Sequence, residues 1–276
     1  MKLFNTFSYL YTIIKKMIFP IVINMLIILF LLNRLEFNYK NYAEDNFVSI
    51  HAHMSLECKN SDDYTCTTLS LILGTEISSA SGLAFNQDPH TGKTYILTAE
   101  HFCKIVNDDI ELPEYLKNDP SINSENISHS VNLILKDIEG NKYNAYILAV
   151  EENADLCLIA SDELPIIKKV KIANSMPDRG DKIYVTSAPH GIHDYMSSIK
   201  FEGVYSGCST PYTCLFSIPT DYGSSGSIIL NENGEMIGMI QRISYNFNSV
   251  SMGAGVDLIR EFLLLAEADL NLNIVP

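Results

Sequence analysis

A succession of short runs rich in β-branched, aromatic and aliphatic residues constrains this chain more than any other feature. They lie at 48–55, 81–85, 94–98, 131–135, 143–150, 156–160, 182–186, 199–205, 215–218, 227–230 and 236–243. Turn formers separate several of them, among them Glu139-Gly140-Asn141, Arg179-Gly180-Asp181 and Asn231-Glu232-Asn233-Gly234. Glycine and asparagine accept the positive φ that tight reversals need. Many short strands with almost no helical periodicity predict an all-β barrel or sandwich. The exception is the end of the chain: Ile259, Phe262, Leu263, Ala266 and Leu270 recur at helical spacing after Asp257, a competent N-cap, and predict a terminal helix. Residues 104–130, rich in Asn, Asp, Ser and Glu, read as an insertion or long loop. Asn126-Ile127-Ser128 within it is a glycosylation acceptor in a eukaryotic host.

Composition narrows the class. At 47% hydrophobic and 19% charged residues the chain has the material for a core, so wholesale disorder is excluded. Its 276 residues suit one all-β domain with a short appendage. A formal net charge of −14 argues against a nucleic-acid partner, which requires clustered Lys and Arg to replace counterions. Six cysteines form no Cys-x-x-Cys pair, against a zinc ribbon or thioredoxin-type site. Their even number suits disulfides in an oxidising compartment, with free thiols as the alternative. Cys208 and Cys214 flank a turn-rich insert between two strand-like runs, and so suit a local staple.

Residues 17–32 carry no charge and follow Lys15-Lys16. As a helix they reach about 24 Å against a hydrocarbon core of ~30 Å. They read as an uncleaved transmembrane signal anchor; the apolar region of a cleaved signal peptide is the alternative, although no small-x-small cleavage site follows before Asn46. Lys2, Lys15 and Lys16 place residues 1–16 in the cytoplasm by the positive-inside rule. Residues 33–46 then form a polar stalk, and 47–276 an extracytoplasmic domain, periplasmic or extracellular.

Three segments carry candidate chemistry. His101 stands just past the hydrophobic run 94–98, Asp155 immediately before the run 156–160, and Ser225 in Gly223-Ser224-Ser225-Gly226-Ser227, which feeds into Ile228-Ile229-Leu230. A serine needs a base to take its proton, and the base needs a third group to hold its tautomer. Each segment alone has a plain structural reading: a strand-end histidine, a turn aspartate, a Gly-Ser hairpin. His190 and His193 lack a third ligand, and Pro189-His190-Gly191 reads as a turn, so no metal or cofactor is expected.

Together the segments resemble the trypsin-like (chymotrypsin-fold) serine peptidases. Residues 97–101 are similar to that family's Leu-Thr-Ala-Ala-His, 155–159 to its Asp-Leu-Ala-Leu-Leu, and 223–227 to its Gly-Asn-Ser-Gly-Ser, in the family's chain order. The Ser-Gly-Ser form is closest to bacterial glutamyl endopeptidases and HtrA-type protease domains. Further similarity at 80–85, 180–191 and 234–240 extends the resemblance over about residues 47–270. It implies two six-stranded antiparallel β-barrels with the active site between them. It also implies a His101–Asp155–Ser225 triad, an oxyanion hole from the N–H groups of Gly223 and Ser225, and endopeptidase activity on protein or peptide substrates. No length remains after the terminal helix for a peptide-binding PDZ domain.

The departures matter as well. Ser224 replaces the aspartate that some relatives pair with a newly cleaved N-terminus, so that activation switch is not expected. Gln241-Arg242-Ile243 stands where the family often has Ser-Trp-Gly along the specificity pocket, which makes these three and Asp221 the candidates for that pocket. The resemblance also sets Cys103 near Cys157, leaving Cys58 and Cys66 as a third pair. A catalytically silent, membrane-tethered binding module is the rival reading. An esterase is another, but the nucleophile elbow followed by a helix is missing.

Overall fold

The computed structural model describes residues 21–29, 45–58, 75–107, 127–166, 168–193, 198–210, 212–244, 247 and 249–275. The chain divides into two compact units, Met1–Asn41 and Tyr42–Pro276. In the first, residues 21–29 are helical with exposed side chains. No helix among the described residues is long and apolar enough to cross a membrane. The remainder of the expected anchor at 17–32 lies outside the described residues, as does most of the stalk. The stalk ends early: Asn46 is buried, and its carbonyl accepts the Ala84 N–H at 2.9 Å.

The second unit holds two closed antiparallel barrels. The first comprises β1 (Phe47–Cys58), β2 (Thr75–Gln87), β3 (Thr94–Thr98), β4 (Ile127–Lys136), β5 (Lys142–Glu151) and β6 (Leu156–Ser161), in the order β1-β2-β3-β6-β5-β4. The second comprises β7 (Lys182–Ser187), β8 (Ile199–Thr210), β9 (Thr213–Ser217), β10 (Ile228–Leu230), β11 (Met236–Ile243) and β12 (Ser251–Gly255), in the order β10-β11-β12-β9-β8-β7. Helix α1 (Glu100–Asn107) follows β3, and α2 (Val256–Leu270) follows β12.

Alternation along the strands sorts side chains between two faces. Ile50, Ile96, Leu135 and Ile159 fill the first barrel; Ile183, Phe216, Ile229 and Ile237 fill the second. A third cluster joins Leu83, Phe85, Leu97 and Leu158 to Ile228, Met239 and the α2 residues Phe262 and Leu263. The two barrels and the helix therefore share one core. This is why β3 and β6 read as unbroken apolar runs: they are buried on both faces. Each fully buried aliphatic side chain contributes about 1.5–3 kcal/mol.

The structure corrects several expectations. Residues 104–130 are not one loop: Lys104 to Asn107 continue α1, anchored by buried Phe102 and Cys103, and β4 begins at Ile127. The Asn126 acceptor lies outside the described residues. Helix α2 starts at Val256 with extended Gly255 as its N-cap, not at Asp257. Strand β12 runs straight into the helix, so Asp257 falls in the first turn, where its charge meets the helix dipole and Arg260 at 3.1 Å. Two disulfides lie among the described residues: Cys103–Cys157 links α1 to β6, and Cys208–Cys214 closes the β8–β9 hairpin. For the proposed Cys58–Cys66 pair, Cys66 lies outside the described residues.

Candidate active site

Sheet register brings the first two site residues together. Thr98, the last residue of β3, pairs with Cys157 of β6. The residues just after β3 and just before β6 are therefore neighbours, and the Cys103–Cys157 disulfide binds the same two segments. His101 sits in the first turn of α1 with its side chain 47% exposed, while Asp155 is 11% exposed. His101 Nδ1 lies 2.9 Å from Asp155 Oδ1 and 3.0 Å from Oδ2, and the His101 backbone N–H donates to Oδ1 at 2.9 Å. The carboxylate accepts only, so Nδ1 carries the proton and Nε2 is left with its lone pair.

Asp155 adopts φ 51°, in the left-handed region that a non-glycine residue enters at a cost of about 1–3 kcal/mol. The surroundings hold it there. Its N–H donates to the Glu152 carbonyl at 3.2 Å, and buried Gln241 donates its amide to the Ala154 and Asp155 carbonyls at 2.5 and 2.9 Å. Beside it, burial pushes the Glu100 carboxyl above the usual carboxylate range, and the Asp155 charge pushes the same way.

Across the seam, residues 223–227 turn sharply into β10. Within this turn the N–H groups of Ser224, Gly226 and Ser227 donate to Asp221 O, Ile240 O and Ser224 O at 3.0, 2.8 and 3.0 Å. The N–H groups of Gly223 and Ser225 donate to no acceptor among the described residues. Two alternate donors are thus left free beside the half-buried Ser225. Gly223, at φ 87°, allows this packing: a Cβ there would lie 2.6 Å from the Ala188 carbonyl. Ser225 Oγ makes no hydrogen bond to the His101 imidazole in this structure. Catalytic hydrogen bonds without bound substrate are often long and tighten only in the complex.

Ser81 of β2 stitches the turn to the first barrel. Fully buried, it donates its N–H to Ser225 O at 2.9 Å and its hydroxyl to Gly223 O at 2.8 Å. The same hydroxyl accepts the Ala188 N–H at 3.0 Å, and the Ser81 carbonyl accepts the Thr98 hydroxyl at 2.8 Å. In the sequence Ser81 stood out only as part of a glycine-bearing strand. Ser78 and Ser79 stand just before it, so nothing in the local pattern singles Ser81 out. Ser81→Ala leaves the Gly223 carbonyl and the Ala188 N–H without partners, a loss of about 1–3 kcal/mol. We expect kcat to fall about 10- to 100-fold in protein that remains folded, because the Ser225 turn keeps its backbone bond to Ser81 but loses the hydroxyl bond that positions the Gly223 carbonyl. Steady-state kinetics beside a urea unfolding curve separates the two effects.

Of the four residues singled out for a specificity pocket, Gln241, Arg242 and Ile243 are consecutive at the end of β11, and Asp221 lies just before the Gly223–Ser227 turn. The amide of Gln241 is consumed on β6-side carbonyls, Arg242 is exposed and Ile243 half-buried at the end of β11. Asp221 accepts the Tyr222 N–H at 2.8 Å and meets His190 Nε2 at 3.1 Å, contacts that hold its carboxyl below the usual range. His193 is buried, which lowers its pKa, and its Nε2 donates to the Asp137 carbonyl at 2.8 Å.

Two closed six-stranded barrels, with a carboxylate-oriented imidazole on one and a glycine-serine turn with free N–H groups on the other, have the architecture of a serine peptidase. A family model for the trypsin-like peptidase domain matches residues 80–239, more than half of the chain. The chain belongs to this family of serine proteases. Its structure is similar to the crystal structure of the serine endoprotease from Yersinia pestis, with a TM-score of 0.56 and 14% identity, covering 85% of this chain and 67% of that one. At that identity the likeness concerns the fold. No curated protein matches the chain.

Proposed function

We propose that this protein is a membrane-tethered serine endopeptidase that cleaves peptide bonds through an acyl-enzyme on Ser225. The observation that carries the reading is the Asp155 carboxylate on His101 Nδ1, at 2.9 and 3.0 Å, which turns a basic Nε2 outward. Nε2 takes the Ser225 hydroxyl proton as Oγ attacks the scissile carbonyl carbon. The carbonyl oxygen becomes an oxyanion, received by the N–H groups of Gly223 and Ser225. Nε2–H then passes its proton to the departing amine, leaving an ester on Ser225. Water repeats the sequence, giving the free acid and restoring the serine. His101 carries every proton, and no cofactor enters.

The tether is the uncharged run 17–32. In its favour, the apolar side chains from Ile21 to Leu29 are exposed, with Ile21 at 63% and Met25 at 64%. A peptidase domain outside the cytoplasm suits the two disulfides. Protein or peptide chains are the substrates, and the net charge of −14 speaks against nucleic acid as a partner.

Incubating the purified full-length chain with an unfolded protein and mapping the new termini by mass spectrometry tests the activity. Internal cleavages are expected with wild type, and Asp155→Asn lowers kcat by about 10⁴-fold through the wrong imidazole tautomer. Wild type that produces no internal cleavage, or Asp155→Asn that cleaves at the wild-type rate, contradicts the proposal.

A further inference from the structure

We infer that His51, His53 and Glu76 form a binding site for one zinc-class divalent ion on the outer face of the first barrel. His51 and His53 are two apart on β1 and both point outward, while Ile50, Ala52 and Met54 between and beside them are buried. The β1–β2 register is irregular at this point: Ala52 lies opposite Ser78, and His53 opposite Glu76. Ile77 is the extra residue of the bulge. An unbroken register would set its isoleucine side chain against His53; the bulge sets a carboxylate there instead. Bulges of this kind re-aim side chains and are retained for that purpose.

One ligand atom from each of the three residues lies within 4.8 Å of the others. Ligand bonds of about 2.0–2.2 Å to tetrahedral zinc put ligand atoms ~3.4 Å apart, so side-chain rotations of about 1 Å complete the site. The His51–Glu76 pair is nearly there, with Nδ1 2.9 Å from Oε1. Despite that distance, His51 Nδ1 is buried without a hydrogen-bond partner among the described residues. An N–H···O bond aims the nitrogen at the oxygen, whereas two metal ligands aim at a third point between them. The contact lacks the alignment of a hydrogen bond, as two ligands of one ion would.

The other side of the ring is also prepared. Ser49 Oγ stands 2.9 Å from His51 Nε2 and 3.5 Å from the Lys136 carbonyl. With Nε2–H donated to Ser49 and the Ser49 hydrogen directed at Lys136 O, Nδ1 is the lone-pair atom. A second hydrogen bond that fixes the tautomer is the usual support of a metal-binding histidine. Two imidazoles and one carboxylate suit zinc and its first-row neighbours, because calcium and magnesium take oxygen ligands. The exposed Glu76 side leaves the fourth position to water. None of the three residues belongs to the catalytic reading, so the site stands independently of it.

Cobalt(II) titration of the untagged full-length chain, read by visible absorption and followed by zinc competition, tests the inference. One equivalent of tightly bound cobalt, displaced by zinc, is expected, together with a rise in unfolding temperature on adding zinc. Glu76→Gln and His53→Ala should each weaken the affinity at least about 10-fold and remove the thermal shift, while His101→Ala keeps both. Unfolding without metal shows whether each variant is folded; Glu76→Gln, at an exposed carboxylate, decides alone if His53→Ala is not. Absence of saturable cobalt absorption, unchanged affinity in the folded variants, or loss confined to His101→Ala overturns the site.

Discussion

Ser225→Ala is expected to lower kcat/KM for peptide hydrolysis by about 10⁴- to 10⁶-fold, with residual turnover from the oxyanion site and binding alone. The same substitution should leave stability within about 0.5 kcal/mol of wild type. Both halves follow from the geometry. Ser225 is half-buried and its Oγ makes no hydrogen bond among the described residues, so its removal deprives none of them of a partner. What fixes the turn is backbone: the Ser225 carbonyl on the Ser81 N–H at 2.9 Å, and the Gly226 N–H on the Ile240 carbonyl at 2.8 Å. Alanine keeps all of that. A variant nearly as active as wild type, or one that is markedly unstable, would show that the Ser225 hydroxyl has another role.

Gly226→Ala should fail in the opposite way, losing stability and activity together. Gly226 has φ 85°, and a Cβ there would run into the Ser81 carbonyl and the Thr98 hydroxyl, with the Ala99 N–H 3.1 Å away. Two of these obstacles are backbone of the first barrel and cannot rotate aside. The left-handed conformation adds about 1–2 kcal/mol for alanine, and relief of the clash requires the seam between the barrels to open. The expected total is about 3–5 kcal/mol, read as a lowered urea midpoint. Activity in whatever remains folded should fall at least about 100-fold, since an ångström of displacement at Ser225 suffices for that. An unchanged midpoint would contradict the packing described for this turn.

Much of this arrangement was legible in the sequence, for identifiable reasons. Two-sided burial makes β3 and β6 continuous apolar runs, and the residues flanking them, His101 and Asp155, stand out against that background. Strand β12 was missed because Ser251-Met252-Gly253-Ala254-Gly255 has almost no β propensity. It is a strand because only glycine fits where Gly253 passes the Met239 carbonyl. The second half of helix α1, Lys104 to Asn107, reads as loop in the sequence because the amphipathic run ends within two turns and merges with a polar segment.

The roles of Ser81 and Gln241 were hidden for a different reason. Each acts on residues more than 80 positions away, and no local pattern reports a hydrogen bond of that range. Gln241 stands among the specificity-pocket candidates by its place in the chain; its amide reaches the Ala154 and Asp155 carbonyls. The His51-His53-Glu76 cluster depends on a bulge, and a bulge changes which residue of β2 stands opposite β1.

In the proposed mechanism His101, oriented by Asp155, makes Ser225 a nucleophile. The most direct measurement is labelling of the full-length chain with a fluorophosphonate, followed by peptide mapping of the modified residue. We predict stoichiometric modification at Ser225 in wild type, strongly slowed labelling in His101→Ala, and no labelling in Ser225→Ala. A chain that does not react, or that reacts at another serine while Ser225 stays unmodified, would contradict it.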